Sequence, residues 1–347
     1  MTTPRADQAA VEEAIVTRRD LVNDAIPEQL PIIRPERLYE ASRYLLDAGG
    51  KRLRPTILLL AAEAIADADP LGEDYHAFPA PDGPVDVMSA AVSIEIIQSF
   101  TLIHDDIMDD DDMRRGVPAV HREYDLETAI LAGDTLYSKA FEVMLETGAP
   151  AERSVRALSE LATTCTKICE GQAFDIDFES RSAVEPDEYL DMVELKTAVL
   201  YAAAASVPAM LLGDDDAVDA LYGYGLDIGR AFQIQDDLLD LTTPSEKLGK
   251  QRGSDLIENK KTLVTLHARE HGVDVDSLVD ADTVEAVDEA EIEAAVGELR
   301  DAGSIEYARE AAHALIASGK ANLAVLPDNH SRDLLGGIAD YLIEREY

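Results

Sequence analysis

Apolar residues recur at helical spacing along almost the whole of this 347-residue chain. The sequence shows no sustained alternation of apolar and polar residues with the tight turns that join paired strands. Gly, Pro and Asp gather between the periodic segments, where they predict loops. The pattern therefore predicts an all-α protein, with helices at about 36–48, 55–67, 85–110, 126–146, 151–176, 187–211, 216–242, 260–270, 285–318 and 331–344.

Charge is strongly one-sided, because 70 Asp and Glu residues accompany 30 Lys and Arg residues and the formal net charge is -40. Such a surplus repels itself at low ionic strength, whereas at molar salt the Debye length is only about 3 Å. The composition therefore favours a protein adapted to high salt. Intrinsic disorder is not expected, since 46% of the residues are hydrophobic. Nucleic acid is not an expected partner, because both molecules would be polyanions.

Two segments bear on where the protein is located. The N-terminal stretch lacks the apolar core of a signal peptide, so we expect a cytoplasmic protein whose residues 1–25 are partly frayed before the first helix. The most apolar window, 198–212, is too short to span a bilayer and contains Pro208, which is typical of a buried helix. No transmembrane segment is expected.

Acidic residues repeat one arrangement in HDDIMD at 104–109 and QDDLLD at 235–240, the first and second aspartate motifs. Acids at i, i+1 and i+4 place the first and last Asp of each motif on one helix face, one turn apart. Such a pair destabilises a helix by roughly 0.2–0.5 kcal/mol unless a cation lies between the carboxylates. Mg²⁺ prefers hard oxygen ligands and is often shared between one or two carboxylates and a phosphate. The motifs therefore predict metal-bridged phosphate binding.

The sequence around each motif separates it from acid clusters that arise by chance. Each motif continues an apolar run, VMSAAVSIEIIQSFTLI in one case and LYGYGLDIGRAFQI in the other, so its carboxylates are expected to line an interior cleft. By contrast, GDDDAVDA at 213–220 begins a helix, where acids complement the helix dipole and face water. The aspartates at 110–112 are also expected to be solvated.

Basic residues are scarce, yet many lie in or beside the glycine-containing loops and the aspartate motifs. Arg offers a planar fork for phosphate oxygens and Lys a mobile point charge, so this mixture fits two polyanionic substrates rather than one. When each residue is considered alone, ion pairing with the abundant acids is favoured over phosphate binding for Arg52, Lys247, Arg252 and Lys261. The full set is Lys51, Arg52, Arg54, Arg114, Arg115, Lys196, Lys247, Lys250, Arg252, Lys260 and Lys261.

Seven segments together resemble the ordered motif set of the trans-isoprenyl diphosphate synthases, or polyprenyl synthetases. They are GGKRLRP at 49–55, DDIMDDDDMRRGVPAVH at 105–121, LAGDTL at 131–136, GQAFDI at 171–176, LKTAVL at 195–200, FQIQDDLLDL at 232–241 and GSDLIENKKTLV at 253–264. The resemblance is strongest to archaeal-type geranylgeranyl diphosphate synthases of halophiles. It implies a single isoprenoid synthase-type helical domain over residues 1–347 around a central cavity, with 271–347 as its C-terminal helices, and a homodimer.

The resemblance also implies roles for individual residues. Asp105, Asp106 and Asp109, with Asp236, Asp237 and Asp240, would bind more than one Mg²⁺ ion, or Mn²⁺ in its place. Arg114, Lys196, Lys250 and Lys260 match contacts to an allylic diphosphate, and Lys51, Arg54, Gln98 and Arg115 match the isopentenyl diphosphate pocket. Thr197 and Gln233 match groups that face the reacting carbons. The residues with implied catalytic roles are Asp105, Asp106, Asp109, Lys196, Thr197, Gln233 and Asp236. His104 is interpreted as structural.

The implied reaction explains these residue types. Loss of diphosphate from an allylic carbon leaves a carbocation, so the site must neutralise the departing charge and keep water away. Isopentenyl diphosphate then attacks with its double bond in a head-to-tail (1'-4) condensation, a proton is lost, and the linear all-trans chain grows by five carbons. The sequence shows no obvious protein base, so the released diphosphate is the candidate proton acceptor.

Product length depends on what lies one helical turn deeper than the metal. Phe100 and Thr101 precede Asp105 by five and four residues, so both are predicted to form the floor that stops the growing chain. One large and one small residue at these positions resembles geranylgeranyl synthases, which favours a 20-carbon product for isoprenoid and ether-lipid synthesis. A farnesyl or longer-chain synthase is the alternative.

Three other functions share some of these features. A class I terpene cyclase would ionise the same kind of substrate but would not need GGKRLRP and MRRG for a second diphosphate. A non-catalytic subunit of a synthase is expected to have lost some of the motif residues, all of which are present here. A storage protein that binds cations on its acidic surface would take up metal without turnover.

Overall fold

The computed structural model describes residues 7–181, 183–244, 252–279 and 289–344. The all-α prediction is confirmed, because helices form the regular structure of these residues apart from one short hairpin. In that hairpin β1 (Met113–Arg114) pairs antiparallel with β2 (Val117–Pro118). The helices are α1 (Gln8–Gln29), α2 (Glu36–Asp47), α3 (Leu53–Ala66), α4 (Val87–Met108), α5 (Val120–Glu123), α6 (Leu126–Leu145), α7 (Ala151–Ser180), α8 (Pro186–Val193), α9 (Val199–Leu212), α10 (Asp215–Thr242), α11 (Ser254–Ile257), α12 (Leu263–Glu270), α13 (Glu289–Asp301), α14 (Ser304–Asn322) and α15 (His330–Glu344).

Two predicted helices are interrupted. Between α8 and α9 the chain forms a π-helical turn, Glu194–Ala198, so the segment predicted as one helix at 187–211 changes its hydrogen-bonding pattern in the middle. The segment predicted at 285–318 is divided into α13 and α14 by Gly303, whose φ of +75° is the left-handed conformation that ends helices. Its first residues, 285–288, lie outside the described ranges.

The prediction of a partly frayed N-terminal segment is wrong for the described residues from position 8 onward, which form α1. One face of α1 is buried, and the helix packs against α3 and α4. Arg18 lies on this buried face at helical spacing from Val11, Ile15 and Val22, and it makes an ion pair with Glu63 at 2.7 Å. Because Arg18 interrupts the row of apolar residues on this face, the apolar pattern did not predict α1.

The contacts divide the chain into two compact units whose segments alternate along the sequence. The first unit comprises Met1–Cys165, Leu200–Tyr222 and Leu323–Gly337. The second unit comprises Thr166–Val199, Gly223–Asn322 and Ile338–Tyr347. The single domain over residues 1–347 and its central cavity stay predictions.

In the first unit α4 is a largely buried helix. It packs against α1, α3 and α6, and its apolar residues surround the helix axis, which is typical of a core helix. Asp86 caps its first turn by accepting a hydrogen bond from the Ser89 backbone N–H at 2.7 Å. The first aspartate motif ends this helix. In the second unit α12 packs against α8, α13 and α14, and the second aspartate motif lies at the end of α10.

Two helical segments are long and apolar enough to cross a membrane, Val87–Met108 and Pro186–Leu212. Of their apolar windows, 78% and 89% of the residues respectively are buried inside the protein, as in the core helices of a globular fold. Pro208 lies inside the second segment.

Candidate active site

The first aspartate motif closes α4, and its three carboxylates differ in exposure. Asp106 is fully buried, Asp105 is half-buried, and Asp109 is exposed at the C-cap. Neighbouring residues on a helix point about 100° apart, so Asp106 faces inward while Asp105 and Asp109 share the more accessible side. The Asp109 side chain is exposed rather than interior, and the predicted cleft lining stays a prediction for it.

Asp106 is held by an arginine from the hairpin that follows the motif. Arg114 Nε donates a hydrogen bond to Asp106 Oδ1 at 2.6 Å, and Arg114 Nη2 donates to Asp111 Oδ2 at 2.7 Å. Burial raises the pKa of Asp106 above its usual range, although Arg114 acts in the opposite direction. Asp106 Oδ2 is buried without a hydrogen-bond partner among the described residues.

The loop aspartates behave largely as predicted. Asp110 and Asp112 are exposed and form ion pairs with Arg122 at 2.9 and 2.8 Å. Asp111 forms an ion pair with Arg114 at 2.7 Å, and its side chain keeps 44% of its surface exposed, which agrees with a solvated loop residue. In the comparison cluster at 213–220, Asp215 and Asp216 are exposed at the start of α10, as predicted.

The residues matched to the isopentenyl diphosphate pocket lie in the first unit. Lys51 is exposed, and Gln98 is half-buried on α4. The Arg54 guanidinium carbon lies 4.1 Å from the centre of the Tyr201 ring. Arg115 Nη1 donates hydrogen bonds to the backbone carbonyls of Leu45 and Gly49 at 3.0 and 2.5 Å.

The structure confirms ion pairing for two of the four basic residues for which it was predicted. Arg52 contacts Glu95 at 2.5 Å, and Arg252 contacts Glu289 at 3.0 Å. Lys261 donates hydrogen bonds to Asn259 instead. The remaining residue, Lys247, lies outside the described residues, as does Lys250, which was matched to the allylic diphosphate.

In the second motif, Asp237 is buried and both of its oxygens accept hydrogen bonds. Tyr189 donates its hydroxyl to Oδ2 at 2.6 Å, and Gln233 donates Nε2 to Oδ1 at 3.0 Å. Burial, and secondarily the neighbouring Asp255, raise the pKa of Asp237 to about 8. Asp236 is half-buried.

Asp240 is also buried, and it organises the segment that follows α10. Its Oδ1 accepts a hydrogen bond from the Ser254 hydroxyl at 2.8 Å, and its Oδ2 accepts one from the Asp255 backbone N–H at 3.1 Å. The interior positions of Asp237 and Asp240 agree with the predicted location of this motif. Their hydrogen bonds show that both carboxylates support neighbouring groups.

Lys196 and Thr197 lie in the π-helical turn, where the backbone of α7 approaches closely. A Cβ atom on Gly171 would lie 2.7 Å from the carbonyl carbon of Leu195, so a glycine is needed at that contact. Lys196 Nζ donates to Asp175 Oδ2 at 2.5 Å, and the Thr197 hydroxyl donates to Gln233 Oε1 at 3.1 Å. Hydrogen bonds thus connect Thr197 to Gln233 and Gln233 to Asp237.

These groups line one cavity of about 130 Å³ in the second unit. Asp175, Tyr189 and Asp255 are polar lining residues that sequence reasoning did not single out. The signal for Asp175 was its position in GQAFDI, four residues after Gly171, whereas Tyr189 had no signal in the sequence. The cavity is lined by Asp175, Tyr189, Met192, Val193, Lys196, Thr197, Gln233, Asp237, Asp255, Lys260, Lys261 and Thr262.

Among the described cations matched to the allylic diphosphate, Arg114, Lys196 and Lys260, the last is the most exposed. Its Nζ lies 3.7 Å from Asp255 and 3.2 Å from Glu258, and about half of its side chain is accessible. The site therefore has a half-exposed ammonium group at Lys260 and a more covered one at Lys196.

The predicted chain-length residues lie on α4, one turn before the first motif. Phe100 is buried, and its ring packs edge-on against Tyr137 with centroids 5.3 Å apart. The Thr101 hydroxyl donates to the Gln98 carbonyl at 2.9 Å. His104 packs against Phe100 and lies directly over Gly133, which supports its interpretation as a structural residue.

The donor chemistry of the two motifs fits a hard divalent cation. Within the ranges that the structure describes, no three His, Cys, Asp or Glu side chains are grouped to hold an ion. Mg²⁺ does not require such a group, because it retains water and is bound through one or two carboxylates together with substrate phosphates. Asp105, Asp109 and Asp236 are the motif aspartates that are half-buried or exposed, whereas the other three are buried.

Comparison with known proteins places these features in a wider context. The polyprenyl synthetase family profile matches residues 35–299. The geranylfarnesyl diphosphate synthase of Natronomonas pharaonis is 73% identical over 97% of this chain and 98% of its own length. Among solved structures, geranylgeranyl pyrophosphate synthetase from Geoglobus acetivorans has a TM-score of 0.84 and 47% identity, covering 95% of this chain and 99% of that chain.

A second solved structure is informative about ligands. The polyprenyl synthase from Caulobacter crescentus was crystallised with calcium and isoprenyl diphosphate. It has a TM-score of 0.81 and 30% identity, and the match covers 99% of both chains. That protein thus combines this fold with a divalent cation and a prenyl diphosphate.

Proposed function

This chain is a prenyltransferase of the polyprenyl synthetase family, and we propose that it condenses isopentenyl diphosphate with allylic diphosphates in the head-to-tail (1'-4) sense. The products are linear all-trans prenyl diphosphates. The observation that supports this proposal most directly is that Lys196, Thr197, Gln233 and Asp237 line the same cavity. It combines a cation with a hydrogen-bonded polar network.

The proposed cofactor is Mg²⁺, held by Asp105, Asp109 and Asp236, and when bound it supplies positive charge to the departing diphosphate. Asp106, Asp237 and Asp240 support this arrangement from their buried positions. The half-buried Asp105 and Asp236 and the exposed Asp109 give the site its affinity for the ion. The three buried carboxylates orient Arg114, Gln233 and the segment at 253–255.

The protein groups act on charge and position. Lys196, Lys260 and Arg114 stabilise negative charge on the allylic diphosphate, in addition to their contacts with Asp175, Asp255 and Asp106. Thr197 and Gln233 present oriented dipoles towards the reacting chain, because their hydrogen bond fixes both side chains. Arg54 and Arg115 bind the second diphosphate. The released diphosphate accepts the proton.

We propose a product of 20 to 25 carbons. The sequence prediction of 20 carbons agrees with the name of the Geoglobus relative, whereas the more similar Natronomonas relative is named for a 25-carbon product. The buried Phe100 ring is the proposed stop for the growing chain, with Thr101 beside it. A farnesyl-length product is the least favoured alternative.

A homodimer in the cytoplasm is part of the proposal. The helix α6 exposes Leu126, Ile130, Leu131, Tyr137 and Leu145. Apolar side chains clustered on one exposed helix mark a surface for association. A second copy of the chain is the proposed partner for this surface.

The direct test is a product assay at molar salt. The purified chain is incubated with Mg²⁺, isopentenyl diphosphate and dimethylallyl, geranyl or farnesyl diphosphate, and the products are identified by mass. Linear diphosphates of 20 to 25 carbons, abolished by a chelator, are expected. Cyclic hydrocarbons would identify a terpene cyclase, and metal binding without any turnover would identify a storage protein.

A further inference from the structure

Three arginines and one buried carboxylate converge in the first unit. Arg52 and Arg115 both contact Glu95 of α4, and Arg54 influences Arg115 electrostatically. Glu95 is 3% exposed, and its Oε1 accepts a hydrogen bond from Arg52 Nη1 at 2.5 Å. The same oxygen lies 3.5 Å from Arg115 Nη2. A single carboxylate therefore faces guanidinium groups from two different loops.

The Arg115 guanidinium also contacts the loop that contains Gly49 and Gly50. In addition to its hydrogen bonds to the Leu45 and Gly49 carbonyls, it packs against Gly50, where an added Cβ would lie 3.0 Å from Arg115 Cζ. Gly50 has a φ of +141°, which side chains rarely allow. The loop backbone and Glu95 together leave this guanidinium little freedom.

Arg52 anchors the same loop from within the protein. It adopts a left-handed backbone conformation with φ of +50°, and it is buried. Its Nε donates to Asn23 Oδ1 at 2.9 Å and its Nη2 donates to the Leu46 carbonyl at 2.5 Å. Through Arg52, Glu95 also influences the backbone of the 49–55 segment, in which Lys51 lies in the loop and Arg54 in the first turn of α3.

Charge in this cluster is unbalanced. Burial lowers the pKa of Arg115, and the positive charges of Arg52 and Arg54 act in the same direction, whereas Glu95 opposes them. Three guanidinium groups with one carboxylate leave an excess of positive charge in a partly desolvated region. Such an excess favours a polyanion, and the planar guanidinium fork matches phosphate oxygens.

We infer that Glu95 is a positioning residue for the isopentenyl diphosphate pocket. It holds Arg115 directly, and it holds the 49–55 segment through Arg52. This inference rests on the proposed function. Glu95 is 3% exposed and acts through Arg52 and Arg115, so its effect is specific to the diphosphate that these arginines and their neighbours bind. Loss of its charge changes affinity for isopentenyl diphosphate more than affinity for the allylic substrate.

The test compares Glu95→Gln with Glu63→Gln. Glu63 is a matched control, because it is equally buried in the same unit and is paired with Arg18 at 2.7 Å. For Glu95→Gln we expect the KM for isopentenyl diphosphate to rise about tenfold or more, since a charge-assisted contact is lost. The KM for the allylic substrate should change less than about twofold, and Glu63→Gln should leave both values near wild type.

A second variant makes the test independent of folding. Glu95→Asp keeps the charge but withdraws the carboxylate from Arg115, so the same selective rise in KM is expected at a smaller size, with the thermal midpoint close to wild type. The inference would be overturned if the KM values for the two substrates changed equally in the Glu95 variants. It would also be overturned if neither variant changed the KM for isopentenyl diphosphate. A wild-type chain that extends no allylic diphosphate would instead contradict the proposed function.

Discussion

At the scale of single residues, Tyr189 provides a sharp test of the second motif, because its hydroxyl donates to the buried Asp237 carboxylate. Tyr189→Phe removes one hydrogen bond and nothing else. Since Asp237 then orients Gln233 less firmly, kcat should fall about tenfold while the protein remains folded. Steady-state kinetics and circular dichroism measure both effects. Tyr307→Phe, at an exposed ring in the same unit, is the control, and equal kcat values for the two variants would exclude the role.

Gly171 has a steric role that two glycine substitutions can distinguish. In Gly171→Ala the new methyl group meets the backbone of Leu195 and Lys196, which cannot rotate away, so stability should fall by about 1–3 kcal/mol. Gly297→Ala in α13 meets nothing within 4 Å and should raise stability by about 0.5–1 kcal/mol. Urea unfolding of both variants measures the contrast. Destabilisation of the two by the same amount would show that the contact at the π-helical turn is unimportant.

Phe100 is expected to limit product length. Phe100→Ala removes a buried ring next to Tyr137, so the tail can extend further and products should gain at least one five-carbon unit. Phe78→Ala is the control, because it empties a similar volume in a buried position of the same unit. Both variants should lose about 3–5 kcal/mol of stability, but only the first should change the product mass. An unchanged product from Phe100→Ala would remove this residue from the account.

The sequence predicted the burial of some motif aspartates better than it predicted their contacts. From the apolar runs before the motifs, the sequence indicated the buried positions of Asp106, Asp237 and Asp240, whereas Asp109 at the end of α4 is exposed. The sequence could not show that the Asp240 carboxylate accepts hydrogen bonds from Ser254 and Asp255, because these contacts depend on the path of the chain after α10. Tyr189 was missed for the same reason, since its partner is 48 residues away.

At the scale of helices, the N-terminus of α6 carries a pH-dependent cap. Hydrogen bonds from Thr128, and from Arg37, lower the pKa of Asp125 to about 2. A carboxylate with a lowered pKa stabilises the fold above its unfolded pKa of about 3.9 and loses that contribution as the pH falls through 2. Asp125→Ala should therefore be less stable than wild type at pH 7, with the difference shrinking between pH 4 and 2.

Unfolding curves at several pH values check this prediction. Asp125→Asn is the control, because asparagine still caps the helix but does not titrate in this range. Its stability difference from Asp125→Ala should be independent of pH. A gap between wild type and Asp125→Ala that stays constant down to pH 2 would contradict the assigned cap.

Helix positions could be predicted where the apolar pattern was continuous. The prediction failed where a charged residue interrupted that pattern. The ends of α4 and α6 agree with the sequence within two residues. The error at α1 arose because Arg18 is buried through its ion pair with Glu63, a partner that a pattern within α1 cannot reveal. The π-helical turn was not predicted either, and its contact with Gly171 joins residues more than 20 positions apart, which a local pattern does not show.

At the scale of the whole molecule, the net charge of -40 predicts that salt stabilises the fold. Raising KCl from about 0.1 M to about 1 M shortens the Debye length from roughly 10 Å to 3 Å, so repulsion between carboxylates weakens. The thermal midpoint should rise by about 10 °C or more over this range. Sucrose is the control, because it stabilises folded proteins without screening charge. A midpoint that is unchanged by KCl would contradict salt adaptation.

Hydropathy alone could not decide whether the most apolar segments are core or membrane helices. The window at 198–212 was predicted to be too short for a bilayer, yet the continuous helical segment Pro186–Leu212 is long enough. Its burial inside the protein supplies the missing information, because contacts from the rest of the fold cover its apolar side chains. The sequence thus predicted a buried helix, but the length of the window was not sufficient evidence for it.

The central claim is that the two aspartate motifs, and not acidity in general, support chain elongation. Asp105→Asn and Asp236→Asn are compared with Asp216→Asn, which changes an exposed acid of the comparison cluster. Elongation of geranyl or farnesyl diphosphate is measured at molar salt with Mg²⁺. We expect the two motif variants to lose at least about a hundredfold in kcat and the control to retain wild-type activity. Full activity in either motif variant, or equal loss in all three, would contradict the claim.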